Sequence, residues 1–397
     1  MNFLSHRVEK LTESETLAMA RLCTELKEKG HDVINMSLGE PDFPTPDFVK
    51  AAAKESIDKN FSYYTPVPGY KELLEAISQK FKRDNNLTYA PAQIVASTGA
   101  KQSVINVVMA TVNPGDEVIL PAPYWVSYSE MILLNEGKVV TIETDYKSDF
   151  KITPAQLEKA ITPRTKMFLF SNPSNPTGSM YTEPELRALG EVFKKYPHVL
   201  IVSDEIYEYI TFDEKMFSIG SIPELAGRTV TVNGMSKGYA MTGWRLGYLG
   251  APLEIAKACV KIQGQFTSGA SSISQRAAIA ALKSDNAAVK PMQAAFKKRR
   301  DLLIKLMSDV PHTKINNPGG AFYLFPEVSY YYGKKDGETV IKDGKDLCMY
   351  ILNKVYVALT PGGAFGAPNY IRLSYALSEQ QITEAVVRIK RALELLK

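Results

Sequence analysis

The sequence predicts an α/β fold: a three-layer sandwich with a mostly parallel central sheet, joined to a smaller α+β domain. Two observations carry this. Apolar runs of strand length at 94–97, 118–120, 139–142, 167–170, 199–202 and 229–232 recur with helical patterns between them, as in a parallel sheet covered on both faces. Beyond residue 250 helices dominate and the strands are short, which marks off a second unit. At 397 residues the chain is long enough for two domains. The division reads as an arm with part of the small domain over 1–45, a large domain over 46–288 and a small C-terminal domain over 289–397.

Taken in order, the chain opens with an arm and a helix that Ser14 would cap, with Leu17, Ala20, Arg21 and Thr24 at helical spacing and Gly30 as the stop. A short strand over 33–36 leads into Leu38-Gly39-Glu40-Pro41-Asp42-Phe43-Pro44-Thr45-Pro46, which the prolines keep out of regular structure. Thr45-Pro46 then starts a helix whose apolar stripe is Phe48, Val49, Ala52, Ala53 and Ile57. The loop Tyr63-Tyr64-Thr65-Pro66-Val67-Pro68-Gly69 precedes a helix carrying Leu73, Leu74, Ile77 and Phe81. From 94 onward each strand runs straight into an unusual loop: Thr98-Gly99-Ala100-Lys101, Pro121-Ala122-Pro123-Tyr124-Trp125, Ser171-Asn172-Pro173-Ser174-Asn175-Pro176-Thr177-Gly178, Ser203-Asp204-Glu205-Ile206-Tyr207. Thr182-Glu183-Pro184-Glu185 reads as a capping box. Later helices are expected over 290–307, 346–353 and 379–395, with short strands at 321–325 and 370–374.

Composition narrows the function. Hydrophobic residues at 45% and charged residues at 23% are ordinary soluble values, and a net charge of +4 implies no nucleic acid partner. Three scattered cysteines and four scattered histidines offer neither a disulfide framework nor a metal site. No run approaches the roughly 18 apolar residues of a membrane span, and the first residues carry no signal-peptide core, so the cytoplasm is the expected compartment.

In an open α/β sheet, ligands gather at the carboxyl ends of the strands, where these loops lie. Gly99-Ala100-Lys101 would turn backbone N–H groups toward a phosphate ester, and Arg245 would add a fixed cationic fork. Asp204 closes an apolar strand and should face a cation or a strong donor, unless it is a turn or cap residue. Trp125 offers a flat apolar face to a ligand or to the core. Lys237, in Asn233-Gly234-Met235-Ser236-Lys237, reads as a Schiff-base lysine; the plain alternative is a surface lysine on a glycine-rich loop.

Read together, Gly-Glu-Pro-Asp-Phe at 39–43, Asn-Pro-Thr-Gly at 175–178, Ser-Asp-Glu-Ile-Tyr at 203–207, Ser-Lys at 236–237 and Tyr-Ile-Arg-Leu-Ser-Tyr-Ala at 370–376 resemble the pyridoxal-phosphate-dependent aminotransferases of fold type I, class I, in their prokaryotic-type aspartate aminotransferase branch. The resemblance covers essentially the whole chain. It implies that Lys237 is the Schiff-base and proton-shuttling lysine, that Asp204 keeps the cofactor's ring nitrogen protonated, that Asn175 and Tyr207 donate to its phenolate oxygen and that Trp125 stacks on its ring. Gly99, Ala100, Lys101 and Arg245 fall at the phosphate. Tyr64 matches a tyrosine reaching the phosphate of the neighbouring subunit, which implies a homodimer with shared sites. Arg372 would take the substrate α-carboxylate, with Gly39 and Asn175 nearby. Relatives hold cis peptide bonds at places matching Pro123 and Pro176.

Lys101 matches a lysine that meets a distal carboxylate, and Thr16 matches a threonine seen in members handling aspartate and, in some, prephenate. The implied pair is aspartate and 2-oxoglutarate, with prephenate as an extra acceptor; Glu15, beside Thr16, would oppose a dicarboxylate if it faced inward. The alternatives on this scaffold are an aminotransferase for aromatic or other neutral amino acids, a β-lyase, and a non-catalytic cofactor-sensing module of a transcriptional regulator. The last needs a DNA-binding segment, and only about thirty residues precede the first strand.

Overall fold

A computed structural model describes residues 3–13 and 15–397. The expected cap Ser14 lies outside the described residues. Helix α1 (Glu15–Glu28) is followed by Gly30 at φ +87°, a conformation that glycine alone adopts freely. Helix α2 (Asp47–Asp58) starts where Thr45-Pro46 predicts, but Thr45 is not its cap: the hydroxyl donates instead to the Ala240 carbonyl, 2.8 Å away. Its buried stripe is also narrower than the pattern suggested. Val49 and Ala53 are buried, whereas Phe48 and Ile57 stay exposed, because α2 meets its neighbours along one face only. Helix α3 (Lys71–Asn85) buries Leu73, Ile77 and Phe81 and ends at left-handed Asn86.

The large sheet then forms: β1 (Ile94–Ser97), α4 (Ala100–Thr111), β2 (Glu117–Ala122), α5 (Ser127–Leu134), β3 (Lys138–Glu143), β4 (Thr165–Ser171), α6 (Glu183–Lys195), β5 (Leu200–Asp204), β6 (Thr229–Gly234) and β7 (Gly247–Gly250). Strand order is β1-β7-β6-β5-β4-β2-β3. All neighbouring pairs are parallel except those of β7, which runs against both β1 and β6. Every residue of β1, β2, β5, β6 and β7 is buried. Each large apolar side chain so buried contributes about 2 kcal/mol. At one edge β3 turns Lys138, Thr141 and Glu143 to solvent, whereas the other edge strand, β1, is buried. The Thr182 capping box is present: the hydroxyl accepts from Glu185 N, and the Glu185 carboxylate accepts from Thr182 N at 2.7 Å.

After α7 (Leu253–Phe266) and α8 (Ser272–Lys283), the chain builds a second packing unit from α9 (Lys290–Ser308), β8 (Tyr323–Leu324), α10 (Gly344–Val355), β9 (Thr360–Pro361), β10 (Ile371–Ser374) and α11 (Glu379–Glu394). Strands β9, β10 and β8 form a small antiparallel sheet, and the early strand Ile34–Asn35 pairs with Val357–Ala358. One apolar core joins Met19 and Cys23 of α1 to Phe296, Ile351 and Ile389, and Ile206, Tyr207 and Ile210 enter it from just beyond β5. The segment after Asp204 therefore lies where this core meets the large sheet.

One expected cis bond is found, between Ala122 and Pro123, and the other is displaced. The bond before Pro176 is not cis; the cis bond of that loop lies between Asn172 and Pro173. The loop holds two Asn-Pro pairs, and the first is the one fixed at the strand end, where Asn172 donates its N–H to Asp204 O and accepts from Tyr181 N. Among the described residues no helix is long and apolar enough to cross a membrane.

Candidate active site

The carboxyl ends of β1, β2, β4, β5 and β6 share one edge of the sheet, and the loops leaving them bring Ala100, Lys101, Trp125, Asn175, Asp204, Tyr207 and Lys237 to one cavity of about 350 Å³. Because β7 runs the other way, its start lies at that same edge, and Arg245, two residues before it, reaches the cavity too. The second packing unit and the N-terminal segment close it with Arg372, Tyr323, Gly39 and Thr16. Of the residues singled out from sequence, Gly99 adjoins the cavity beside Arg245, and Tyr64 stands apart, 99% exposed.

At one end Gly99 turns at φ +82° into the first turn of α4. A Cβ on Gly99 would collide with the Arg245 guanidinium, so the glycine is what lets that cation approach the helix start. Arg245 Nη1 donates to Thr242 O at 2.8 Å. Ser236 lies on the same wall.

At the centre, Asp204 is 4% exposed. Tyr128 OH donates to its Oδ2 at 2.8 Å, while Oδ1 has only the longer bond from Ile206 N, 3.3 Å. Burial pushes this carboxyl up to about 6, opposed by the Tyr128 bond. Lys237 Nζ donates to Gly39 O at 2.5 Å. Burial brings its amine down to about 8, partly offset by Glu40 and aided by Arg372 and Arg245. Tyr207 OH shares a 2.8 Å hydrogen bond with Tyr323 OH, and burial raises it well above the usual phenol range. Trp125 meets Tyr128 edge-on at 5.3 Å between ring centres.

At the far end Arg372 is 2% exposed. Its partners are neutral: Ser37 O at 2.5 Å, Asn175 Oδ1 at 2.9 Å and Thr360 Oγ1 at 3.4 Å, and its buried Nε has none. Tyr323 and Phe365 flank the guanidinium at 4.6 and 5.0 Å. Lys101 Nζ stands 5.0 Å from the Trp125 ring, its amine lowered by burial and by Arg245. Glu15 does not face inward: it pairs with Lys345 at 2.9 Å, which removes the charge that would have opposed an anion near Thr16.

Sequence reasoning missed Tyr128, Tyr323 and Ser37. Tyr128 is one helical turn beyond Trp125, a spacing that could have flagged it. Tyr323 and Ser37 become site residues only through pairing of distant segments, and nothing local marks them. Among the described residues no group of three His, Cys, Asp or Glu gathers to hold a metal ion. The arrangement offers a phosphate-sized cationic turn, a buried carboxylate and amine at the centre, and a buried guanidinium at the far end.

Comparison with known proteins agrees with this chemistry. Residues 31–389 match the family described as aminotransferase class I and II. An aspartate/prephenate aminotransferase of Nitrosomonas europaea is 46% identical over 390 residues, covering 97% of this chain and 98% of its own. A bifunctional aspartate aminotransferase and glutamate/aspartate-prephenate aminotransferase of Petunia hybrida is 46% identical over 99% of this chain and 83% of its own. The crystal structure of the aspartate aminotransferase of Rhizobium meliloti superposes with a TM-score of 0.96 at 42% identity, each chain covered in full. That of Thermus thermophilus with maleate gives 0.93 at 37%, covering 99% of this chain and all of its own.

Proposed function

The chain belongs to the class I and II aminotransferases, and from that premise we propose that it moves the amino group of aspartate to 2-oxoglutarate, with prephenate as a further acceptor. It is an aminotransferase that works with pyridoxal phosphate. Two features of the cavity suit that cofactor. The Gly99 turn leaves no room for a Cβ beside Arg245, as a close phosphate cradle requires. Asp204 is a buried carboxylate whose Oδ1 lacks a short donor, which suits a protonated ring nitrogen.

When bound, pyridoxal phosphate supplies a carbonyl carbon that takes up the amino group and a ring that accepts the electrons left as the Cα–H bond breaks. Arg245, Ser236 and the N–H groups of Ala100 and Lys101 would hold the phosphate end. Asp204 would keep a negative charge at the ring nitrogen, Asn175 and Tyr207 would donate at the phenolate oxygen, and Trp125 would cover the ring face. Lys237 would hold the carbonyl end of the cofactor, and its Nζ is placed to take a proton from the substrate Cα; an amine brought down to about 8 is suited to that exchange near neutral pH. Arg372 takes the α-carboxylate in a two-pronged bond, with Gly39 and Asn175 beside it.

The observation that carries the substrate assignment is a pair of cations. Neither Arg372 nor Lys101 pairs with a carboxylate among the described residues, and both line one cavity with Thr16, as a dicarboxylate would need. The maleate of the Thermus structure is itself a dicarboxylate. A half-reaction panel tests this: the purified yellow enzyme is mixed with single amino acids and the loss of its visible absorbance is followed. Aspartate and glutamate should react fastest. Lys101→Ala should cut the preference for aspartate over alanine by about tenfold or more, in line with a lost charged contact; an unchanged preference would overturn the assignment.

The same reading makes the protein a cytoplasmic homodimer in which Tyr64 serves the partner's phosphate. Exposed Phe48, Ile57, Tyr63, Tyr64 and Phe266 support an interface, and three free cysteines suit a reducing compartment. The division at 45 and 288 rests on the separate core that α1 and the chain beyond 290 share.

A further inference from the structure

Each of two cavity-facing residues is followed directly by a buried glutamate: Glu205 after Asp204, and Glu208 after Tyr207. Both reach away from the cavity into one enclosed cluster. Lys80 of α3, with no exposed surface, pairs with Glu208 and donates to Asn85 Oδ1 at 2.7 Å. Asn85 Nδ2 donates to Glu208 Oε2 at 2.7 Å and, more weakly, to Glu205 Oε2 at 3.4 Å. Ser218 and Ser203 complete Glu205, donating to its two oxygens at 2.6 and 3.0 Å. The Lys80 ammonium stands 5.3 and 5.4 Å from the rings of Phe81 and Tyr209. Burial, and then the Glu208 charge, push Glu205 up to about 8, against donors from Ser218 and Ser203 and the charge of Lys80. Tyr89, Tyr209 and Tyr248 and the Asp84 carboxylate also face the cluster.

Taking such groups out of water is costly unless they are paired, and a buried paired network restrains the backbone that carries it. The backbone here needs fixing. Between β5 and residue 210 the chain belongs to no helix or strand; it is held by short-range bonds such as Glu208 N to Glu205 O and by Glu205 N to Val232 O. Asp204 and Tyr207 ride on that turn, and a shift near 1 Å in a catalytic group lowers rates about a hundredfold. We propose that Lys80, Asn85, Glu205 and Glu208 form a clamp behind the cavity that positions Asp204 and Tyr207 for amino transfer. This deepens the function proposed above and rests on its reading of Asp204 and Tyr207.

The test compares holoenzymes carrying Glu208→Gln, Glu205→Gln, Glu205→Ala and the double change Lys80→Met with Glu208→Leu, which leaves no unpaired charge to unfold the protein. Asp204→Asn and Tyr207→Phe serve as controls. Three readouts are taken: kcat and KM for aspartate, the pH titration of the cofactor's visible absorbance, and the melting temperature. The clamp predicts that Glu208→Gln, Glu205→Ala and the double variant lose about tenfold or more in kcat, with KM within about threefold, and that the absorbance titration moves by about half a pH unit or more. Glu205→Gln, which keeps the shape of the neutral acid, should restore most of what Glu205→Ala loses. Variants that melt earlier but keep the wild-type kcat and titration would overturn the clamp alone, provided the controls shift both. Controls that leave the absorbance titration unmoved would overturn the reading of Asp204 and Tyr207, and the clamp with it.

Discussion

Asp204 pays for its place. Burial moves its carboxyl from an ordinary 3.8 to about 6, so the folded chain holds a proton there that the unfolded chain has released between those values. Stability from this group therefore falls as pH rises from about 4 to 6, and the full penalty, about 3 kcal/mol for roughly two pH units, persists above 6. Cofactor-free Asp204→Asn should melt higher than the cofactor-free parent at pH 7.5, and the gain should shrink toward pH 4. With pyridoxal phosphate bound the order should reverse, since the carboxylate then has its cationic partner. A scan of melting temperature against pH, with and without cofactor, checks both signs. Asp204, which closes an apolar strand, and Asn175 and Lys237, which follow one, were legible for that reason, and Arg245 as the arginine eight positions beyond Lys237. Tyr128, the donor that orients Asp204, was passed over: only its spacing from Trp125 marks it, and a tyrosine inside a helix looks like core until the strand beneath it is known.

Between residue and fold, the N-terminal segment is the element with most bearing on the reaction. Thr12 binds the Glu130 carboxylate of α5 through both its N–H, at 3.1 Å, and its hydroxyl, at 3.0 Å, and four residues later Thr16 lines the cavity. Glu15 ties the same segment to Lys345 of α10. Glu130→Ala should release the first anchor, raising KM for aspartate about three- to tenfold with a smaller change in kcat, because a looser segment must be ordered as substrate binds. Steady-state kinetics that leave KM unchanged would count against it. Helix starts were readable where chemistry is local, as at Thr182 and at Thr45-Pro46, although the Thr45 hydroxyl is claimed by a carbonyl 195 residues away and not by the helix. Strand β7 was missed altogether. Gly247-Tyr248-Leu249-Gly250 has too few apolar residues to read as a strand, and its glycines are needed because a Cβ on Gly247 would strike the backbone of Ala100.

At the scale of the whole molecule, the proposed dimer predicts complementation. If Tyr64 serves the partner's phosphate, mixing Tyr64→Ala with Lys237→Ala subunits yields hybrids with one doubly damaged site and one intact site. Random reassortment of equal amounts should recover about a quarter of wild-type activity from two feeble parents, because half the dimers are hybrids with one working site of two. Recovery no greater than the sum of the parents would show that the sites are not shared. The alternation of apolar strands and unusual loops made the large sheet legible, whereas Phe48 and Ile57 looked like core because an apolar stripe in sequence does not say how much of it the neighbouring elements cover. The reversed strand has a further consequence, for a chain that emerges from the ribosome N-terminus first. Strand β1 is made early, yet its one sheet neighbour is β7, which appears 150 residues later. The nascent edge of β1 stays unpaired until then, and Gly99 and Arg245, which flank those two strands, meet only when β7 docks. The phosphate cradle is thus among the last features of the large sheet to be completed during synthesis, after the strands bearing Asn175, Asp204 and Lys237 have all been made.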